Sequence, residues 1–530
     1  MGSEFDHIIV GAGSAGCVMA NELSADPRNR VLLIESGPPD TSFLIDMPRG
    51  IARLCSPSDP HVWAYEVATG GNRPNAMWLK GCTLGGSSSI NGMVYIRGHP
   101  ADYDGWRDLG CEGWSWDEMR PCFMALEDHE LGASPSRGVG GPLKVTMQPN
   151  VSVLCEAVLN AAAEAGAPRV ADVNDAPDGG FGYQPRNIWK GRRESAAKIF
   201  LRPALSRPNL KVLTDTDVLR IDFEDRRAAG VTIRTAAGEQ AVRARRDVVL
   251  CAGSIGSPKL LQLSGVGDAA LLQRFGIPVV ANVPAVGQNL QEHYYLQVKY
   301  NVTTGSLNAQ FLGLPLAVNL ARYWLLGSGP LTHAAHELSG FVKTRPGLAR
   351  PDAQLGVGLY SMSITQKGLE IDSTDGFTIG GYMINPKSRG ELRIDSPDPA
   401  APPYINANYL AEQEDRDVAV AMMRYIRNIG AQPALRPYML GEETPGPQLQ
   451  SYEEILQACY ELGSTAFHVS GTCRMGADAA SVVDPKLRVR GVEGLRVVDT
   501  SIFPTLVSGN TNAPAMATAL RASRIMLAQA

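Results

Sequence analysis

Apolar positions at the front of this chain alternate between strand-like and helix-like order. Phe5 to Val10 reads as a strand, and Gly11-Ala12-Gly13-Ser14-Ala15-Gly16 as a tight turn. The small residues on to Leu23 form a helix, and Val31-Leu32-Leu33-Ile34 is a second strand closed by the acid Glu35. Further on, Ser115-Trp116-Asp117-Glu118 has capping-box spacing and opens a helix towards Asp128, which Pro121 is expected to bend or to confine to its first turn. Gly141 to Val145 is a strand, and Ser152 to Ala165 an Ala-rich helix. Lys211–Leu213, Val218–Asp222, Gly230–Ile233 and Val248–Leu250 are closely spaced strands, read as an antiparallel insert returning to the first sheet. After Gly253 a helix starting at Pro258 follows, ended by Ser264-Gly265-Val266-Gly267. Phe311 to Leu326 is the most apolar run. Interrupted by Pro315 and Asn319, it is too short and too polar to span a bilayer, and a helix packed in a second domain is preferred to one touching a membrane surface.

Length changes the picture next: 530 residues exceed the ~250–300 that one core supports, so two domains are expected. The net charge of −5 argues against a nucleic-acid surface. Nine scattered cysteines without a CxxC pair suit a reducing, cytoplasmic compartment and argue against a disulfide frame or a zinc site. No secretory leader is expected before the first strand, and Met1-Gly2-Ser3 reads in part as an expression remnant.

The front unit carries the first chemistry. Gly11, Gly13 and Gly16 let the chain turn, let a pyrophosphate approach and let the helix pack on the strand. Ser14 and Ala15 begin a helix whose free N–H groups and positive end favour phosphate. Glu35 would accept ribose hydroxyls and repel a 2′-phosphate, which disfavours NADP and leaves FAD and NAD both open. Gly81-Cys82-Thr83-Leu84-Gly85-Gly86-Ser87-Ser88-Ser89-Ile90-Asn91-Gly92 is a loop of backbone donors and small hydroxyls, anchored by apolar flanks and able to lie along a polar heteroaromatic edge.

Gly81–Asp104, Gly253–Gly267, Gly287-Gln288-Asn289-Leu290-Gln291-Glu292-His293 and the run from Asn385-Pro386 to Leu410 together resemble the glucose–methanol–choline (GMC) family of flavin oxidoreductases, over about Phe5 to Leu527. The resemblance implies FAD and an α/β plus α+β fold: a Rossmann-like FAD-binding domain (1–140, 205–298 and 464–530) and a discontinuous substrate-binding domain on an antiparallel sheet (141–204 and 299–463). The expected cofactor contacts are Gly11, Gly13, Ser14, Ala15, Gly16, Glu35, Gly85, Gly86, Ser87, Asn91, Gly92, Val218, Ala252, Gly253, Asp499 and Asn512. Ile90 stands where some members carry a flavin-tethering histidine, so the FAD is expected to be non-covalent.

By the same resemblance, His468 in Phe467-His468-Val469-Ser470-Gly471 is the catalytic histidine. An alcohol yields hydride once its O–H proton has begun to leave, and an imidazole titrating near neutrality can take that proton. Asn512 is expected as its partner and as the head of the Ala-rich helix to Ala528, whose positive end would favour the negative charge of reduced flavin. Glu337 and Phe467 are the expected substrate contacts. In choline-oxidising members a glutamate at the Glu337 position faces the quaternary ammonium, and Trp63, Tyr65 and Phe467 are the aromatic candidates. His333 and His336 lack a third ligand, so no metal is expected. The leading reading is FAD-dependent oxidation of a primary alcohol, aryl and bulky ones included, with oxygen, a quinone or a dye as acceptor. The alternative is a GMC-fold hydroxynitrile lyase with non-redox FAD. A serine hydrolase is disfavoured by the lack of G-x-S-x-G.

Overall fold

The structure is a computed structural model that describes residues 4–71, 73–365 and 368–529; Met1–Ser3, with the expected remnant, lie outside them. Its first sheet runs in the order Leu210–Leu213, Val31–Ile34, Glu4–Val10, Gly238–Leu250, Arg227–Thr235 and Asp217–Glu224, with Leu495–Val497 pairing onto Gly238–Leu250. The pairs around Glu4–Val10 and Val31–Ile34 are parallel, and they include Leu210–Leu213, which lies at the edge of the parallel part rather than in the insert; Asp217–Leu250 forms the expected antiparallel insert. Gly238–Leu250 serves both parts. Its outer half is largely exposed, whereas Val248, Val249 and Leu250 are wholly buried where the strand enters the parallel core. Ser14–Leu23 packs against Asn512–Leu527, and both helices bury small residues, among them Ala15 and Ala20 on the first and Ala517 and Ala519 on the second.

The second sheet is antiparallel, ordered Met439–Thr444, Tyr294–Val302, Gly376–Met383, Ala353–Gly358, Leu338–Val342 and Gly180–Tyr183. The period-2 alternation of a strand divides its residues between two faces. Leu296, Val298 and Tyr300 enter a core with the helices Gln413–Gly430 and Val153–Glu164. Tyr295, Gln297 and Lys299 line the cavity described below. The expected boundary at 298/299 therefore falls inside one strand, Tyr294–Val302, which belongs whole to the second sheet. Ser464–Thr465, expected with the first unit, pair with Tyr294–Tyr295 on the second.

Three helices differ from expectation. Trp116–Leu126 continues past Pro121 rather than stopping at its first turn, held by its capping box and by burial of Met119, Cys122, Phe123 and Leu126. The second helix starts at Gly253, five residues before Pro258, because the Asp499 carboxylate anchors it there by accepting Gly253 N–H and Ser257 Oγ–H. Gly313–Leu326 is helical, but much of its apolar surface is left uncovered: Leu314, Trp324, Leu325 and Leu326 are all more than 70% exposed, and among the described residues the one aromatic ring Trp324 meets is Phe43. Among the described residues no helix is long and apolar enough to cross a membrane.

Candidate active site

A cavity of about 2080 Å³ is lined from both sheets. That is roughly twice the upper end for a drug-sized ligand, room for a dinucleotide and a substrate together. Three helix starts open onto it: Gly13 to Ala15, Gly253 to Gly256, and Thr511 to Asn512. Each brings unpaired N–H groups and the positive end of a helix to the wall. The glycines divide the labour. A Cβ on Gly16 would lie 1.9 Å from the Gly11 carbonyl oxygen, so Gly16 sets the close packing of helix on strand. A Cβ on Gly13 would meet nothing nearer than 3.9 Å, leaving its cavity side open to a bulky anion. These features fit FAD.

Most expected cofactor residues line this wall: Gly11, Gly13, Ser14, Ala15, Glu35, Gly86, Ser87, Asn91, Gly92, Val218, Ala252, Gly253, Asp499 and Asn512. Gly85 does not; its N–H donates to the Ala12 carbonyl and its left-handed φ of +86° shapes the serine loop. Gly16 is likewise structural. Glu35 accepts Ala12 N–H at 2.8 Å and Gly37 N–H at 3.0 Å, and burial pushes its carboxyl up to about 7. Asp499 is occupied by the protein, through Gly253, Ser257 and Ser501. Ile90 packs with Ile45, Leu54 and Val62 beside the cavity.

His468 is held at a backbone kink. Phe467 adopts a left-handed φ of +65°, a conformation that costs a non-glycine residue ~1 kcal/mol and needs support. The support is Glu292. Its carboxylate accepts His468 N–H at 2.8 Å and the Thr465 hydroxyl at 2.7 Å, that hydroxyl accepts Phe467 N–H, and Lys80 Nζ donates to the Phe467 carbonyl at 2.7 Å. Burial pushes Glu292 up to about 7 and Lys80 down to about 8, each opposed by the charge of the other.

The hydrogen bonds around the His468 ring assign its proton. His293 Nε2 lies 3.2 Å from the Ile384 carbonyl oxygen, which can only accept, so Nε2 of His293 carries its hydrogen. Burial holds His293 neutral, down to about 3, which leaves its Nδ1 an acceptor. That atom is 3.0 Å from His468 Nδ1, which must therefore donate. His468 Nε2 is left proton-free and accepts from Asn510 Nδ2 at 3.0 Å. Asn510 is oriented in turn, because its Oδ1 accepts from Gln354 Nε2 at 3.2 Å while Gln354 Oε1 accepts the Tyr382 hydroxyl at 2.7 Å. Burial, then the neighbouring His293 and Lys80, press His468 well below the ordinary imidazole range, so it is neutral at pH 7 rather than titrating there.

Two expected site residues change place. Asn512 does not reach His468. It is the first residue of Asn512–Leu527 after the N-cap Thr511, and its Oδ1 accepts the Ser14 hydroxyl at 2.7 Å; Asn510 holds the histidine instead. Glu337 is fully buried behind the wall and ion-paired with Arg49 at 2.6 Å, so it faces no open space. Phe467, Trp63 and Tyr65 do line the cavity. The sequence alone assigns no role to Asn510, His293, Gln354 or Arg49. The one signal for His293 was its position at the end of the Gly287–His293 block.

The GMC oxidoreductase family profiles match residues 5–295 and 386–519. The chain is 39% identical to human mitochondrial choline dehydrogenase over 99% of its own length and 90% of that protein's. It is 40% identical to the alcohol dehydrogenase [acceptor] of Pseudomonas putida over 99% and 96%. Among solved structures, pyridoxine 4-oxidase from Mesorbium loti superposes with a TM-score of 0.89 at 31% identity, covering 98% of both chains. With a Rossmann-like sheet, a sheet-based second half and a dinucleotide-sized cavity ending at His468, this chain belongs to the GMC family of FAD-dependent oxidoreductases.

Proposed function

We propose that the protein oxidises a primary alcohol to its aldehyde, with His468 as the base, Asn510 as the hydrogen-bond partner of the carbinol oxygen, and FAD held without a covalent link. The carrying observation is the chain of hydrogen bonds from Ile384 through His293 that leaves a neutral, proton-free Nε2 on His468 at the cavity wall. A carbinol oxygen entering between His468 and Asn510 donates its proton to Nε2 and accepts from Asn510 Nδ2. As the proton leaves, electron density on the oxygen weakens the carbinol C–H bond. FAD, when bound, supplies the two-electron acceptor for the departing hydride. Positioned proton transfer of this kind contributes ~10²–10⁴ in rate.

Gly13, Ser14 and Asn512 would hold the cofactor through backbone and helix-end donors, with Gly86 and Ser87 from the serine loop. Ile90 offers no nucleophile for a tether, which supports dissociable FAD. All nine cysteines are free, eight of them buried, in keeping with a cytoplasmic setting. The dehydrogenases and oxidase named above are redox enzymes, and no feature of the site favours the lyase reading. Anaerobic mixing of the holoenzyme with a panel of primary alcohols tests the proposal: bleaching of the flavin band near ~450 nm with recovery of the aldehyde supports it, and a band that persists across the panel overturns it.

A further inference from the structure

Beside the catalytic cavity the side chains build a receptor for a cation, and the chain fills it with a cation of its own. Glu337 is fully buried; Leu359 N–H donates to its Oε2 at 2.9 Å, and His333 Nδ1 stands 3.6 Å from Oε1. The rings of Tyr360 and Phe311 face the same point. A carboxylate framed by aromatic faces is the chemistry that holds an ammonium group. Here Arg49 occupies the frame. Its Nη2 lies 2.6 Å from Glu337 Oε1, and its guanidinium carbon lies 4.6 Å from the Tyr360 ring centre and 5.4 Å from that of Phe311.

The charges then balance without a ligand. Burial alone would raise the Glu337 carboxyl, but the Arg49 charge and the contact with His333 hold it below the ordinary carboxylate range. Burial keeps the neighbouring imidazoles neutral, His336 down to about 4. The Arg49 side chain is nine-tenths buried yet forms part of the cavity wall, beside Phe43, Leu44, Met47, Ile51 and Leu331. A substrate ammonium entering here would meet a guanidinium, with no carboxylate left to receive it and apolar groups around it.

We propose that Arg49 is the specificity-determining residue of this site, an internal cation that neutralises Glu337, shuts out quaternary-ammonium alcohols and leaves a wall suited to uncharged, apolar primary alcohols. The proposal rests on the alcohol-oxidising reading above and deepens it. It separates this chain from its choline-dehydrogenase relatives despite 38–39% identity over nearly the whole length.

The test compares choline with 3,3-dimethylbutan-1-ol, its uncharged carbon isostere, as reductants of the holoenzyme flavin under anaerobic conditions. The wild type is expected to favour the isostere by at least ~100-fold in reduction efficiency, because like charges brought together in a desolvated site are strongly disfavoured. Arg49→Gln keeps a hydrogen-bond donor for Glu337 while removing the charge, and should move the ratio towards choline by at least ~10-fold. The double variant R49Q/E337Q, which leaves no buried charge unpaired, should show no such shift towards choline, because no carboxylate remains to receive the ammonium. A titration with tetramethylammonium chloride, followed by calorimetry, should show no binding to the wild type and saturable binding to R49Q. If R49Q does not fold, the wild-type ratio, the double variant and the wild-type titration decide. Equal efficiencies for the two alcohols in the wild type, or tetramethylammonium binding to it, overturn the assignment. Should no alcohol bleach the flavin, the alcohol-oxidising reading fails by itself, while the tetramethylammonium titration still decides whether Arg49 blocks the cation receptor.

Discussion

Replacing His293 with phenylalanine tests how the His468 proton is placed. The ring of His293 stacks on Tyr382 with centres 4.3 Å apart at 12°, and a phenyl ring keeps that stack while removing both nitrogens. His468 Nδ1–H then points at carbon inside a buried site. An unsatisfied buried donor costs ~1–3 kcal/mol, which the imidazole escapes by moving its hydrogen to Nε2. That tautomer presents an N–H to Asn510 Nδ2, itself a donor held in place by Gln354 and Tyr382, and can no longer accept the alcohol proton. At 1.36 kcal/mol per tenfold, flavin reduction should slow ~5–150-fold. The assay is stopped-flow bleaching of the flavin under anaerobic alcohol, with FAD content checked in the same samples. His293→Asn returns an acceptor oxygen near the Nδ1 position and should recover most of the loss. A His293→Phe enzyme that reduces within twofold of wild type, with FAD bound, would refute the tautomer argument.

Two glycines three residues apart should fail differently. Gly16→Ala drives a methyl into the Gly11 carbonyl and should lower stability by ~1–3 kcal/mol or more in chemical denaturation, whereas Gly13→Ala has room in the protein, should unfold like wild type, and should bind FAD more weakly. Since His468 is held neutral well below its ordinary range, it should contribute no titration of flavin reduction between pH 6 and 8.5; groups that do titrate there are Glu292 and Glu35 near 7 and Lys80 near 8, and the part owed to the support of His468 by Glu292 should be lost in Glu292→Gln. A variant that still titrates with a midpoint at 6.5 would return that role to His468. Acid precipitation of the holoenzyme should leave the yellow colour in the supernatant, and colour retained in the pellet would contradict a dissociable FAD.

The sequence revealed much of the fold because its strongest signals are local. The glycine turn after Phe5–Val10 needs only a strand before it and a helix after it, and the serine loop announces itself by composition. His468 lies in a contiguous block that the family resemblance singles out. What stayed hidden depends on direction rather than identity. Asn510 and Asn512 flank a single threonine, and spacing cannot say which amide looks towards the histidine; the start of Asn512–Leu527 decides it by turning Asn512 to Ser14. Arg49 and Glu337 are 288 residues apart, so an internal ion pair leaves no trace in either segment. The Gly313–Leu326 run shows helical periodicity, but periodicity does not tell whether an apolar face has found a partner, and here most of it has none within the chain. Pro121 and Pro258 misled because tertiary burial and a distant carboxylate outweighed the local penalty of a proline inside a helix.

One imidazole takes the alcohol proton in this mechanism, and His468→Ala probes that step directly. Loaded with FAD and mixed anaerobically with a primary alcohol that bleaches the wild type, the variant should keep its yellow colour and reduce ~10²–10⁴ times more slowly. Reduction at the wild-type rate by an H468A enzyme with a full complement of FAD would contradict the account.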